Sequence, residues 1–134
     1  MASKKKVYII LSDGECDEGS IWEAVLFAPH HYLKNLTVII DYNKIQSFGL
    51  IDEVLNLEPF ANKWRSFNWE VLEVDGHNYA DLDQAFAYQS SLPKVIIAHT
   101  IKGKGVSFME NNLLWHYRSP NDTQYKQAQK ELLL

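Results

Sequence analysis

Residues 6–19 read KVYIILSDGECDEG and residues 36–45 read LTVIIDYNKI, and these two stretches decide the fold class. Each is a β-rich apolar run that breaks off at polar turn formers. A run without a polar face suits a strand covered on both sides, the usual situation in parallel sheets. The first, Lys6 to Leu11, ends on Ser12, Asp13 and Gly14; the second, Leu36 to Ile40, closes on Asp41, Tyr42 and Asn43. Between them, residues 18–33 place Ile21, Val25, Leu26, Pro29 and Tyr32 at helical spacing, behind Asp17 and Glu18, whose charge favours a helix N-terminus. Pro29 lacks the N–H that a helix interior needs, so a kink or break is expected there.

The alternation continues downstream. Residues 46–58, QSFGLIDEVLNLE, contain Gly49 and have no clean period, as a functional loop would. Pro59 opens a helix through Phe67, Trp69 to Val74 is a third strand, Ala80 to Ser91 an amphipathic helix, and Val95 to Ala98 a fourth strand. Residues 102–120 carry glycines without periodicity, and Ser119-Pro120-Asn121-Asp122 leads into a polar helix to about Leu133. This order predicts the α/β class, an open, mainly parallel sheet with helices on both faces joined by right-handed crossovers. No repeat or linker interrupts residues 1–134, which are read as one domain.

The chain has 13 Lys+Arg against 17 Asp+Glu, a net charge of −4, and 46% hydrophobic against 22% charged residues. That balance supplies a core and excludes a disordered chain. The negative charge argues against nucleic acid, whose phosphates demand clustered Lys and Arg. Cys16 stands alone, without a disulfide partner or zinc spacing, which fits a reducing compartment. The basic start MASKKK precedes an apolar run shorter than the roughly 7–15 residues of a signal core, so Lys4 to Lys6 is read as a solvated chain end. No stretch approaches the ~20 apolar residues of a membrane span. A cytoplasmic protein that binds no membrane is expected.

In open parallel sheets ligands bind beyond the carboxyl ends of the strands. Asp13 and Asn43 both lie just past a strand, thirty residues apart, and one helix with its crossover returns them to the same edge. A carboxylate, an amide oxygen and a nearby backbone carbonyl are hard ligands of the kind Mg²⁺ combines with phosphate oxygens and water. Gly14 admits close approach of a phosphate, and the turn behind it offers free N–H groups. The set suggests a metal-bound diphosphate. Asp-Gly is equally a common turn and Asn43 equally a turn residue, while Glu15 and Asp17 put acids beside the proposed anion. His99 ends the fourth strand within reach of the crevice, and Lys102 and Lys104 sit in a KGKG loop suited to phosphate or to solvent. His30 and His31 read as packing or surface residues and His77 as part of a turn; Trp22, Trp64, Trp69 and Trp115 read as core or interface.

The combined run SDGECDEGSIWEA and LTVIIDYNKIQSFG resembles the thiamine diphosphate motif of transketolases. The segments IDEVLNLEPFANKWRSFNWEVLEVDGH, HTIKGKGVSFMENN and LWHYRSPN resemble transketolase in the same order, so the likeness runs from Lys6 to about Asn121. It implies that Asp13 and Asn43 bind Mg²⁺ through their side chains and Ile45 through its carbonyl. Gly14 would meet the diphosphate, with Glu15 beside it. Glu18 and Glu23, next to Trp22, resemble an acidic pair at the family's dimer interface. His116 resembles a histidine near the reactive part of the cofactor that contacts the donor substrate. Ser12 stands where the usual motif begins with glycine, and Tyr117-Arg118 where many relatives have glycine and lysine.

The implied reaction is transfer of a two-carbon ketol unit between sugar phosphates. The matched part is the C-terminal portion of a thiamine diphosphate-binding module, as in the N-terminal subunit of split transketolases. The rest of that module and the pyrimidine-binding domain would come from partner polypeptides, giving an oligomer whose isolated 134-residue component is inactive. Two other readings are a non-catalytic truncated module that binds a partner or a Mg²⁺-diphosphate ligand, and a flavodoxin-like binding domain with a coincidental Asp-Gly turn.

Overall fold

A computed structural model describes residues 5–133; residues 1–4, with Lys4 of the expected chain end, and residue 134 lie outside the described residues. The elements run β1 (Val7–Ser12), α1 (Gly19–His30), β2 (Leu36–Tyr42), a small hairpin of β3 (Ile45–Gln46) and β4 (Gly49–Leu50), α2 (Ile51–Val54), α3 (Phe60–Ser66), β5 (Glu70–Asp75), α4 (Tyr79–Ala87), β6 (Lys94–His99) and α5 (Asp122–Leu132). Single 3₁₀ turns span Gly14–Asp17 and Leu113–His116. The main sheet has the order β1-β2-β6-β5 with every neighbouring pair parallel, as the α/β reading requires. Register pairs Ser12 with Asp41 and Tyr42 with His99, so the carboxyl ends of three strands open at one edge.

One face of the sheet carries the main core. Val38 and Ile40 of β2 and Val95 and Ile97 of β6 join Val25 and Ala28 of α1, Phe60 and Trp64 of α3, and Trp69. Each Val, Ile and Phe among them contributes about 1.5–3 kcal/mol on leaving water. Trp64 and Trp69 meet edge to face at 5.0 Å, a favoured quadrupole geometry. The opposite face holds α4, whose Phe86 sits edge-on to Tyr8 of β1 at 6.1 Å. There Lys94 is buried, and its Nζ donates to the carbonyls of Ala85, Phe86 and Tyr88 at 2.6, 3.2 and 3.0 Å. A cation at a helix C-terminus satisfies the last carbonyls, which explains why α4 stops at Ala87 and not at Ser91.

Three expectations need correction. β1 is not covered on both faces: it is an edge strand, with Val7 to Ile10 exposed and Ile10 at 74%. The α1 helix does not run to Leu33 but ends one residue past Pro29. Proline leaves the carbonyl four residues back, Val25, without its helical donor, and Trp69 Nε1 donates to that carbonyl at 2.8 Å instead. Finally, residues 46–58, expected as an irregular functional loop, hold regular elements: part of the β3-β4 hairpin and α2. No helix of the described residues is long and apolar enough to cross a membrane.

Candidate functional site

Asp13 lies at the carboxyl end of β1 with 1% of its surface exposed. Its Oδ1 accepts the Gly14 N–H at 2.8 Å, and its Oδ2 accepts the Lys44 N–H at 2.7 Å. The second bond joins the two turns that the sequence placed thirty residues apart. To point that N–H at Asp13, Lys44 takes a left-handed φ of 65°. This costs a non-glycine residue about 1–2 kcal/mol, and a hydrogen bond to a charged group, worth about 1.5–3 kcal/mol, offsets it. Next to it, Asn43 Oδ1 accepts the Ile45 N–H at 3.0 Å, closing a side-chain turn that fixes the amide oxygen.

Burial pushes the Asp13 carboxyl above the usual carboxylate value, the two backbone N–H bonds pull it back, and the charges of Asp41 and Asp17 push it further up. A cation beside Asp13 would relieve this desolvation and repulsion. Each Asp13 oxygen accepts a single N–H, leaving lone pairs for a metal. Among the described residues no group of three His, Cys, Asp or Glu side chains is arranged to hold a metal. A hard cation here would take Asp13, Asn43 and the Ile45 carbonyl, with ligand oxygens and water completing the shell, a donor set that fits Mg²⁺.

Glu15, expected beside the diphosphate, bonds to the end of β1. Its Oε2 accepts the Ser12 N–H at 2.7 Å and the Ser12 hydroxyl at 3.0 Å, while Ser12 Oγ accepts the Glu15 N–H at 3.2 Å. This reciprocal pair is a capping box, so the Glu15 carboxylate is held on the strand end and shapes the turn. Gly14 faces Gln46: a methyl built on Gly14 would lie 3.6 Å from Gln46 Cγ and 3.7 Å from its Cδ. Gln46 is 6% exposed, and its Nε2 has no hydrogen-bond partner among the described residues. An unpaired buried donor costs about 1–3 kcal/mol.

The remaining wall of the crevice comes from later in the chain. Asn43, Ile45, His99, Thr100 and Asn111 line one cavity at the strand ends. Thr100 Oγ1 donates to Asp41 Oδ1, and His99 Nε2 lies 3.3 Å from Glu73. The turn that carries His116 packs beside β3, which brings it next to Ile45 and Gln46. Tyr42 donates its hydroxyl to Glu58 at 2.7 Å and stacks on Phe60 at 5.0 Å, clamping the end of β2 to the start of α3. Burial pushes the Tyr42 phenol up, and the Phe60 N–H, with the Tyr42 hydroxyl, holds Glu58 below the usual carboxylate range. Burial likewise raises the Cys16 thiol to about 12, which leaves it an inert core residue.

Of the three residues expected at an interface, Glu18 and Glu23 are exposed on α1. Trp22 is not presented in the same way: its Nε1 donates to the Cys16 carbonyl at 2.8 Å, and its ring packs on Phe60, Trp64 and Phe67. It is half-buried, packed against the core cluster. Trp64 and Trp69 are core, and Trp115 packs edge-on to Phe108 at 5.0 Å. His77 Nε2 accepts the Ile101 N–H at 2.8 Å, which ties its turn to the end of β6. His30 ends α1 and His31 caps it, both exposed. Lys104 meets Glu110 at 3.8 Å at the surface, an arrangement of little energetic weight.

Gln46, Lys44, Tyr42 and Thr100 contribute to this site although sequence reasoning did not select them. The signals available were the S-x-x-E spacing of residues 12–15 and the position of Gln46 directly after Ile45. Gln46's burial and the Thr100–Asp41 contact become visible only in three dimensions.

The family model for the transketolase thiamine diphosphate-binding domain matches residues 2–132. The chain is 41% identical over 130 residues to one subunit of the apulose-4-phosphate transketolase of Phocaeicola vulgatus, covering 95% of this chain and 46% of that protein. It is 43% identical over 130 residues to a 6-deoxy-6-sulfo-D-fructose transketolase subunit of Clostridium sp., covering 94% and 47% respectively. The chain thus spans about half the length of these curated relatives. Its fold superposes on a transketolase crystal structure from Campylobacter jejuni with a TM-score of 0.88 at 29% identity, over 97% of this chain and 21% of that one.

Proposed function

The chain belongs to the family of transketolase thiamine diphosphate-binding domains, and from that premise we propose that it is a component of a cytoplasmic transketolase moving a two-carbon ketol unit between sugar phosphates. The observation that carries this reading is the bond from the Lys44 N–H to the buried Asp13 carboxylate, which draws the Asp-Gly turn and the Asn43 turn into one site. Asp13 and Asn43 hold Mg²⁺ through their side chains and Ile45 through its carbonyl, while Gly14 meets the diphosphate and Glu15 keeps that turn in shape. When bound, thiamine diphosphate supplies carbanion stabilisation. This chain's residues bind and orient it, and His116, on a turn beside β3, faces the donor sugar.

The pyrimidine side of the cofactor and the remaining walls of its cleft come from outside these 134 residues. Glu18 and Glu23, exposed next to the Gly14–Asp17 turn, mark where partner polypeptides assemble. The working form is an oligomer, and the 134 residues alone do not turn over sugar phosphates. Calorimetry on the assembled protein tests the site. Thiamine diphosphate should bind tightly only with Mg²⁺, and Asp13→Ala or Asn43→Ala should abolish that dependence by deleting a hard oxygen ligand. Metal-independent binding of unchanged strength in both variants would sink the assignment.

A further inference from the structure

We infer that Gln46 is an additional ligand residue of this site, donating its amide N–H to a diphosphate oxygen above Gly14. The inference rests on the functional reading given above. Nearly all buried polar side-chain atoms in folded proteins have a hydrogen-bond partner, yet Gln46 Nε2, in a side chain 6% exposed, has none among the described residues. Two other buried side-chain atoms among the described residues share that condition. Asp17 Oδ1 is an acceptor and repels an anion, whereas Trp64 Nε1 sits in the aromatic core. Among the described residues, Gln46 alone combines such an unpaired donor with contact to Gly14, its Cγ and Cδ lying 3.6 and 3.7 Å from where a Gly14 methyl would stand.

The chemistry of the group selects the ligand. An amide nitrogen has no lone pair for a cation, so Gln46 Nε2 addresses the anionic half of a metal-diphosphate pair. It pairs with Gly49 in β3, directly follows Ile45, whose carbonyl is a proposed metal ligand, and lies against Gly14. The Glu15 carboxylate, another acceptor in the turn, is bonded to the Ser12 N–H and hydroxyl.

The test compares wild type with Gln46→Met, which keeps the length and removes the donor, and with Gln46→Glu, which replaces it by a like charge. Each is titrated with Mg²⁺-pyrophosphate, Mg²⁺-thiamine diphosphate and unphosphorylated thiamine, by calorimetry on the assembled protein. Gln46→Met should weaken both diphosphates about tenfold and Gln46→Glu should weaken them more, with thiamine unaffected. Ligand-free Gln46→Met should also melt at a higher temperature than wild type, because a buried unpaired donor has been removed. A purely structural glutamine would lower the melting temperature instead. Unchanged diphosphate affinity in both variants overturns the role of Gln46 and leaves the proposed function standing. Failure of wild type to bind either diphosphate overturns both.

Discussion

Replacing Trp69 by phenylalanine removes one hydrogen bond, and the structure assigns that bond an unusual job. Pro29 cannot donate to the Val25 carbonyl one turn earlier in α1, and the buried Trp69 Nε1 does so from outside the helix at 2.8 Å. Trp69→Phe therefore strands a buried carbonyl, at about 1–3 kcal/mol. The smaller ring also opens a void against Trp64, adding about 1 kcal/mol at roughly 24 cal/mol per Å³. The expected loss is about 2–4 kcal/mol in urea unfolding at unchanged m-value. Pro29→Ala supplies a helical N–H to the same carbonyl, so in the double variant the hydrogen-bond part of the cost should fall away and only the void should remain. The two changes should then couple by about 1–2 kcal/mol in a double-mutant cycle. Costs that add to within about 0.5 kcal/mol would refute the idea that Trp69 substitutes for the missing proline donor.

Two further outcomes follow from the site and from the α5 contact. Gly14→Ala should change stability by less than about 1 kcal/mol, since the new methyl meets Gln46 at ordinary contact distance; it should cut Mg²⁺-thiamine diphosphate affinity about tenfold or more, by about 1.4 kcal/mol per decade, and equal affinity in calorimetry would remove Gly14 from the diphosphate site. Glu131 is held below the usual carboxylate range by Gln127 and by the N–H and hydroxyl of Ser107. With its folded value depressed, its support for α5 is present above the unfolded carboxylate value and is lost as pH falls through the folded one. Amide exchange in residues 122–132 should accelerate on acidification in wild type, and Glu131→Gln should flatten that dependence; the same profile in both proteins would refute the contact's role.

The alternation of apolar strands with amphipathic helices was legible because each local pattern agrees with the global parallel sheet. The meeting of Asp13 with the Asn43 turn was legible for the same reason, since both follow strands that end at one edge. What the pattern could not report was neighbours. An apolar run such as residues 6–11 reads alike whether one strand or two flank it, so the exposure of β1 escaped the reading. His116 lies some seventy positions from Ile45, and only the path of residues 100–112 sets its turn beside β3. The bonding of Glu15 was hidden for another reason. Ser12 makes an S-x-x-E box with it, a local pairing that the apolar pattern does not report.

Three unfavourable features of the folded chain meet at this one site. Asp13 is a buried carboxylate whose nearest charges, Asp41 and Asp17, are also negative. Lys44 holds a left-handed backbone to reach it, and Gln46 keeps a buried donor without a partner among the described residues. Each is unfavourable by about 1–3 kcal/mol in isolation, and each is of a different kind: surplus negative charge, backbone strain and an unused hydrogen. A lone cation would relieve Asp13 but leave Gln46 unpaired, and a lone anion would pair Gln46 but worsen the repulsion. A cation carried with a diphosphate answers the charge and the hydrogen together, while the Lys44 strain is what holds their binding groups in place. That complementarity is the physical reason to expect metal and diphosphate to bind here as one unit.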